Sequence, residues 1–96
     1  QTQAIFCSSD LLALGVMTEA RAQGMSVPKD ISVIGFGDVP FVADMFPSLT
    51  TVRINGGDIG TQAANFLIAR AEGRIVEPAI VDVSFSIIER DSTQLA

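Results

Sequence analysis

Three short apolar runs along the chain are typical of β-strands. They lie at residues 4–7, 30–40 and 50–54, and the last is rich in β-branched side chains, which favour extended backbone. The run within residues 30–40 is nearly unbroken, which predicts a strand covered on both faces. Residues 81–87 instead alternate apolar and polar positions, so they predict a strand with one face in water.

Two stretches between these strands have helical periodicity. Residues 10–23 place apolar side chains on two adjoining stripes, and residues 8–10 carry side chains that can cap a helix. Gly24 then supplies a left-handed stop. Residues 59–72 repeat apolar positions at helical spacing and end at Gly73, so they predict a second helix.

Two residues qualify this pattern. Gly15 lies in the middle of the first predicted helix, where it marks either the close approach of another backbone or a tolerated surface glycine. Pro47 stops residues 41–46 from continuing beyond little more than one helical turn. We therefore expect an apolar loop between the second and third strands. Residues 89–96 are predicted to be a frayed tail.

The predicted order is strand, helix, strand, loop, strand, helix, strand. This alternation predicts an α/β fold with a mainly parallel sheet, right-handed crossovers and helices on the faces of the sheet. At 96 residues the chain is at most one small domain. Because it lacks an initiator Met and runs almost at once into strand-like sequence, we expect a fragment of a longer protein.

Composition and charge exclude several function classes. The formal net charge is −5 and the six basic residues are scattered, which weighs against a nucleic-acid surface in this segment. With no histidine and a single cysteine, Cys7, we expect no metal site, no cofactor and no internal disulfide, and a reducing compartment is favoured. A thiol in an apolar strand is more typical of a core residue than of a redox group. No apolar run is long enough to span a membrane.

Catalytic motifs are missing from the sequence. There is no G-x-S-x-G nucleophile elbow, and neither Ser8 nor Ser9 has an evident base. Residues 35–38 begin like a dinucleotide-binding loop, but the third glycine is absent and Pro40 lies where a helix should open. We therefore do not expect an enzyme.

Polar side chains follow the predicted strands where each one ends. Ser9 and Asp10 come after the first strand, Asp38 after the second and Arg53 near the end of the third. Because the ends of parallel strands lie along one edge, these groups can converge on a small polar ligand. An arginine fork suits a carboxylate, which favours an acidic ligand.

Each of these residues also has a local interpretation. Ser9 and Asp10 are suited to capping the helix that follows them, and Asp38 can close its own turn. Arg53 can simply pair with Asp38. Both sets of interpretations stay open at the level of sequence.

The motifs in combination resemble the C-terminal part of lactose-repressor-type (LacI/GalR) transcription regulators. The resemblance covers residues 4–92 and is carried by FCSSDLLALG at 6–15, VPKDISVIGF at 27–36, LTTVR at 49–53 and Ile59-Gly60. It implies a periplasmic-binding-protein-like (type I) domain of two α/β lobes joined by crossovers around an effector cleft. It also implies a cytoplasmic protein whose DNA-binding helix-turn-helix lies in sequence not present here.

The same resemblance assigns parts of the chain to the two lobes. Residues 1–54 would belong to the C-terminal lobe, residues 55–76 to a helix of the N-terminal lobe, and residues 77–96 to a return strand and tail. Ser9, Asp10, Asp38 and Arg53 would bind the effector. The first helix and the loop after Asp38 would help to form a homodimer.

Departures from the family pattern point to the class of effector. Many members have Asn where Ser9 stands, a second Asp where Gly37 stands and Gln where Ile54 stands, and these groups hydrogen-bond sugar hydroxyls. Their absence weighs against neutral-sugar contacts. Gly37 and Asp38, together with Arg53 and residues 81–85, resemble the gluconate-repressor branch, which implies a sugar acid.

Two other functions are alternatives to the regulator. A periplasmic solute-binding protein of a sugar transporter shares the lobes and the cleft, and sequence upstream of Gln1 would separate the two, because a signal peptide there would indicate the transporter. A sugar-acid enzyme is disfavoured by the missing histidine.

The fragment is not expected to be a well-behaved monomer: either it associates with copies of itself, or it is the ordered remnant of a longer protein that was cut. Without the remainder of the domain, the apolar side chains of Ile31, Val33, Phe66 and Leu67 would be open to water.

Overall fold

The computed structural model describes residues 3–74 and 83–93, and it contains the predicted elements in the predicted order. These are β1 (Ala4–Phe6), α1 (Asp10–Ala22), β2 (Ser32–Phe36), a 3₁₀ helix (Pro40–Asp44), β3 (Thr50–Ile54), α2 (Gly56–Ala71) and β4 (Phe85–Ile88). The four strands form one sheet in the order β1-β2-β3-β4. The predicted α/β class is confirmed.

Two of the strand pairs are parallel. Ile5 of β1 lies opposite Val33 of β2, and Ile34 of β2 lies opposite Thr50 of β3. Because parallel neighbours need a long connection, α1 serves as the crossover from β1 to β2, and it packs against β2. The carboxyl ends of β1, β2 and β3 therefore point the same way.

The chain divides into two units. One consists of Gln1–Arg53 together with Ser86–Ala96, and the other is Ile54–Phe85. The chain thus leaves the first unit directly after Arg53 and returns to it at Ser86. The assignment of residues 1–54, 55–76 and 77–96 to lobes of a larger domain stays a prediction.

The core of the first unit lies between α1 and the sheet. It is formed by Cys7, Ala13, Met17, Val33, Val42 and Leu49. Burial raises the pKa of the Cys7 thiol, as expected for a core cysteine. The prediction that Ile31 and Val33 face water was wrong: both are buried, and α1 covers β2 on the side of Val33.

In the second unit, the structure describes the helix α2, and none of the α2 side chains is buried. Leu67 is 70% exposed, as expected, whereas Phe66 is half-buried. The helix begins at Gly56, three residues before the predicted start. It does so because the side chain of Asn55 accepts a hydrogen bond from the Asp58 N–H at 2.9 Å and caps the first turn.

The predicted frayed tail was wrong for residues 89–93. Ser92 is fully buried, and its N–H donates to the Ser48 carbonyl at 2.9 Å while its hydroxyl donates to the Val33 carbonyl at 2.6 Å. The same hydroxyl oxygen accepts from the Thr50 N–H at 2.8 Å. Ser92 thereby supplies hydrogen-bond partners to the Val33 carbonyl of β2 and to the Thr50 N–H of β3.

The last strand is shorter than the alternating pattern suggested. β4 covers Phe85–Ile88, and residues 81–82 of the predicted strand lie outside the described residues. The N–H of Arg90 donates to Thr50 Oγ1 and the N–H of Ser92 to Ser48. Because Arg90 pairs with Thr50 and Ser92 pairs with Ser48, the segment after β4 runs antiparallel to the segment that enters β3.

No helix within residues 3–74 and 83–93 combines the length and the apolar character needed to cross a lipid bilayer.

Two glycines give a matched test of this packing. A Cβ at Gly35 would lie 2.8 Å from Leu49 Cδ2 and 3.3 Å from Asp10 Cα, whereas a Cβ at Gly15 would meet no described atom within 4 Å. We expect Gly35→Ala to lower the free energy of unfolding by about 1–3 kcal/mol through overpacking. Gly15→Ala should raise it by about 0.5–1 kcal/mol, because alanine is the better helix former. Urea denaturation of both variants measures the difference, and equal effects would contradict this packing.

Candidate functional site

The chain turns sharply at the carboxyl end of β2. Gly37 and Asp38 both have positive φ, 123° and 54°, and the Gly37 N–H donates to the Val52 carbonyl at 2.8 Å. The Asp38 N–H then reaches Thr51 Oγ1 at 3.3 Å. A left-handed conformation is tolerated by aspartate better than by most residues. The turn carries the Asp38 carboxylate back over β3.

The Asp38 carboxylate binds two arginines, one at each oxygen. Its Oδ2 accepts from Arg53 Nε at 2.7 Å, and its Oδ1 pairs with Arg90 Nη2 at 2.9 Å. Burial tends to raise the pKa of Asp38, but the hydrogen bonds and charges of the two guanidinium groups outweigh it and hold the pKa below the ordinary 3.8. Asp38 is therefore an anchored anion.

Arg53 contributes an open guanidinium group. Its side chain is 57% exposed, and within the described part of the chain its hydrogen bond from Nε to Asp38 is its only polar contact. The interpretation that Arg53 pairs with Asp38 is thus confirmed, and the pairing uses only the Nε nitrogen of Arg53. The two Nη nitrogens stay available for a planar acceptor such as a carboxylate.

Arg90 is a member of this cluster that the sequence interpretation missed. Its side chain is 15% exposed, and Nη1 donates to the Leu49 carbonyl at 2.9 Å. The available signal was an arginine just after the last apolar strand. That signal did not suffice, because only the antiparallel return beside β3 brings Arg90 to Asp38.

Asp10 lies at the same edge but inside the protein. It is 1% exposed, its Oδ2 accepts from the Val39 N–H at 2.8 Å, and its Oδ1 accepts from the Thr51 hydroxyl at 2.6 Å. The carboxyl group thus connects the start of α1 to the loop after β2 and to β3. In this structure both of its oxygens are occupied by the protein.

Ser9 is engaged as the N-cap of α1. Its Oγ accepts from the Leu12 N–H at 3.1 Å, as the capping interpretation predicted. Among the described residues, the structure brings Asp38 and Arg53 into direct contact, links Asp10 to them through Thr51, and gives Ser9 no hydrogen bond to the other three.

A groove of about 400 Å³ runs along a different part of the first unit. It is lined by α1 and by the loops at residues 25–27 and 45–47, and Arg21 Nη2 donates across one end to the Phe46 carbonyl at 3.0 Å. None of the four predicted site residues lines it. We take the carboxyl edge of β2 and β3 as the candidate site, because among the described residues Asp38 meets two arginines there, Arg53 and Arg90.

Comparison with known proteins identifies the family. The family model of the periplasmic binding protein-like domain matches residues 1–93 of this chain. The chain belongs to this family. This chain is 37% identical to the HTH-type transcriptional repressor PurR of Escherichia fergusonii. The match extends over 89 residues, which are 93% of this chain and 26% of PurR. It therefore spans about a quarter of the length of the curated relatives it matches.

Solved structures give the same result for this periplasmic binding protein-like chain. A LacI-type transcription regulator from Bifidobacterium animalis subsp. lactis superposes with a TM-score of 0.85 at 34% identity, over 97% of this chain and 33% of the regulator. The transcriptional regulator CelR in complex with cellobiose gives 0.86 at 30% identity, over 94% and 28%. The resemblance to LacI-type regulators is confirmed.

The substitution Thr51→Val changes the side-chain shape little, and it tests the hydrogen bonds of Thr51 at the carboxyl edge of the sheet. It is fully buried, and Thr51→Val leaves Asp10 Oδ1 without its donor and the Asp38 N–H without its acceptor. We expect the free energy of unfolding to fall by about 1–3 kcal/mol.

Thr18→Val is the matched control, because the Thr18 hydroxyl donates to the Leu14 carbonyl on an exposed helix face. Its effect on unfolding should stay within about 0.5 kcal/mol. Chemical denaturation measures both variants, and a loss in Thr51→Val no larger than in the control would show that the Asp10 contacts are not structural.

Proposed function

We propose that this chain is the effector-sensing segment of a LacI-type transcription regulator, and that it binds a small sugar or sugar acid at the carboxyl edge of β2 and β3. The observation that carries the proposal is the guanidinium of Arg53, which is held by Asp38 through Nε on a 57% exposed side chain, while its two Nη nitrogens have no hydrogen-bond partner among the described residues. The whole protein would be cytoplasmic and non-enzymatic. It would bind DNA through a helix-turn-helix that lies outside this chain.

The four predicted site residues have unequal roles in this proposal. Arg53 contacts the effector, and Asp38 orients Arg53. Asp10 supports the edge from inside, since its oxygens are bound by Val39 and Thr51. Ser9 lies at the start of α1 beside Asp10 and presents its hydroxyl where many family members carry an amide.

A sugar acid is the favoured effector class. Gly37 places no carboxyl group beside Arg53, so an incoming carboxylate meets no additional negative side chain at that position. A carboxylate also matches the planar Nη pair of arginine better than a hydroxyl does. We therefore propose an aldonate such as gluconate in preference to a neutral sugar, as the resemblance to the gluconate-repressor branch implies.

The regulator is favoured over a periplasmic solute-binding protein by the kind of relatives that the chain has. PurR is a transcriptional repressor and CelR is a transcriptional regulator. Residues 1–54 are assigned by this proposal to the C-terminal lobe and residues 55–76 to the N-terminal one. Opening and closing of the lobes would change the spacing of two attached DNA readers.

Self-association is part of the same proposal. α1 and the loop after Asp38 line the apolar groove, and Phe46 at its end is 88% exposed. Burying this surface in a homodimer would remove it from water.

The proposal is tested by Arg53→Gln in the full-length protein. We expect gluconate affinity to fall by about 10- to 100-fold, because a charge-assisted hydrogen bond is lost, while glucose affinity changes by less than about threefold. Isothermal titration calorimetry with both ligands measures the two affinities.

Arg70→Gln is the matched control, because Arg70 is exposed and its side chain has no hydrogen bond or ion pair to a described residue. It should leave both affinities unchanged. Equal losses of gluconate and glucose binding in Arg53→Gln would contradict the assignment of Arg53 as the reader of a carboxylate.

A further inference from the structure

We infer that Arg90 is a positioning residue that keeps the Arg53 fork open for a ligand carboxylate. The inference rests on the proposed function and adds a residue on which the choice between an acidic and a neutral effector depends. The two arginines share Asp38, but they differ in exposure, 15% for Arg90 against 57% for Arg53.

The two oxygens of Asp38 are bound by different arginines. Arg90 Nη2 occupies Oδ1 at 2.9 Å, and Arg53 Nε occupies Oδ2 at 2.7 Å. Arginine and carboxylate groups commonly pair through two parallel hydrogen bonds. An Asp38 carboxylate with a free Oδ1 would therefore be able to take Arg53 through two nitrogens. Arg90 prevents this by holding Oδ1.

Arg90 is fixed in place by contacts that do not involve Asp38. Its Nη1 donates to the Leu49 carbonyl at 2.9 Å, and its backbone N–H donates to Thr50 Oγ1 at 2.8 Å. Arg53 has no comparable second anchor among the described residues. A ligand therefore meets Arg53 and not Arg90.

Arg90 also determines the charge that the ligand meets. Its positive charge offsets that of the Asp38 carboxylate, so Arg53 is not fully neutralised by its own partner. The other nearby carboxyl group, Asp10, is buried with both oxygens bound by Val39 and Thr51. Among Asp10, Asp38, Arg53 and Arg90, the most exposed charge is that of Arg53.

The experiment measures gluconate and glucose binding by calorimetry in the full-length protein carrying Arg90→Gln. The ratio of gluconate affinity to glucose affinity is expected to fall about tenfold, the effect of one charge-assisted hydrogen bond. In an Arg53→Gln background, Arg90→Gln should change the ratio no further, because Arg90 acts through Arg53. Arg90→Lys, which keeps a cation beside Oδ1, should retain most of the wild-type ratio.

If Arg90→Gln fails to fold, a second variant still tests the inference. The double variant Asp38→Asn with Arg90→Gln removes both charges of this ion pair and the carboxylate that would capture Arg53. Its ratio should lie within about threefold of that of Asp38→Asn alone, because an amide does not hold a guanidinium through two oxygens and Arg90 then has no carboxylate to keep from Arg53. A tenfold loss relative to Asp38→Asn alone would overturn the inference.

The remaining outcomes separate this inference from the proposed function. If wild type binds gluconate and Arg90→Gln weakens gluconate and glucose equally, Arg90 is merely structural, and the inference falls while the proposed function stands. If wild type binds neither sugar acid nor sugar, both fall together.

Discussion

The buried carboxyl group of Asp10 holds the carboxyl edge of the sheet together. One oxygen binds the Val39 N–H in the loop after β2 and the other binds the Thr51 hydroxyl in β3, while Asp10 itself begins α1. Three separate parts of the chain are thus fixed at one point. Gly35 is constrained by the same contact, since a side chain there would collide with Asp10 and Leu49. An unsatisfied carboxyl group in this position would be costly, so these partners are needed together.

The surface charges at the edge depend on that buried point. Thr51, which binds Asp10, also accepts from the Asp38 N–H, and so positions the turn that carries the Asp38 carboxylate. Asp38 in turn joins Arg53, the last residue before the chain leaves the first unit, to Arg90, which follows the return at Ser86. A ligand that competes for Arg53 would act directly beside one of these two passages between the units.

Local chemistry was sufficient to predict much of the fold and part of the site. The apolar runs, the Ser9 cap and Gly24 predicted the bounds of the first helix to within one residue. The positions of the strand ends predicted that Asp38 and Arg53 lie close together, as they do in the structure. Contacts across long sequence separations were not predictable. Ser92 and Arg90 looked like tail residues because their partners, Val33 and Asp38, lie more than fifty residues earlier and become neighbours only through the antiparallel return.

A crystal structure of the full-length protein with gluconate is the most direct measurement. We expect the gluconate carboxylate at roughly 3 Å from the Nη nitrogens of Arg53, the usual hydrogen-bond distance, with Asp38 still paired to Arg90. A carboxylate bound by other groups, with Arg53 turned wholly onto Asp38, would contradict the central claim that an open arginine fork at this edge reads the effector.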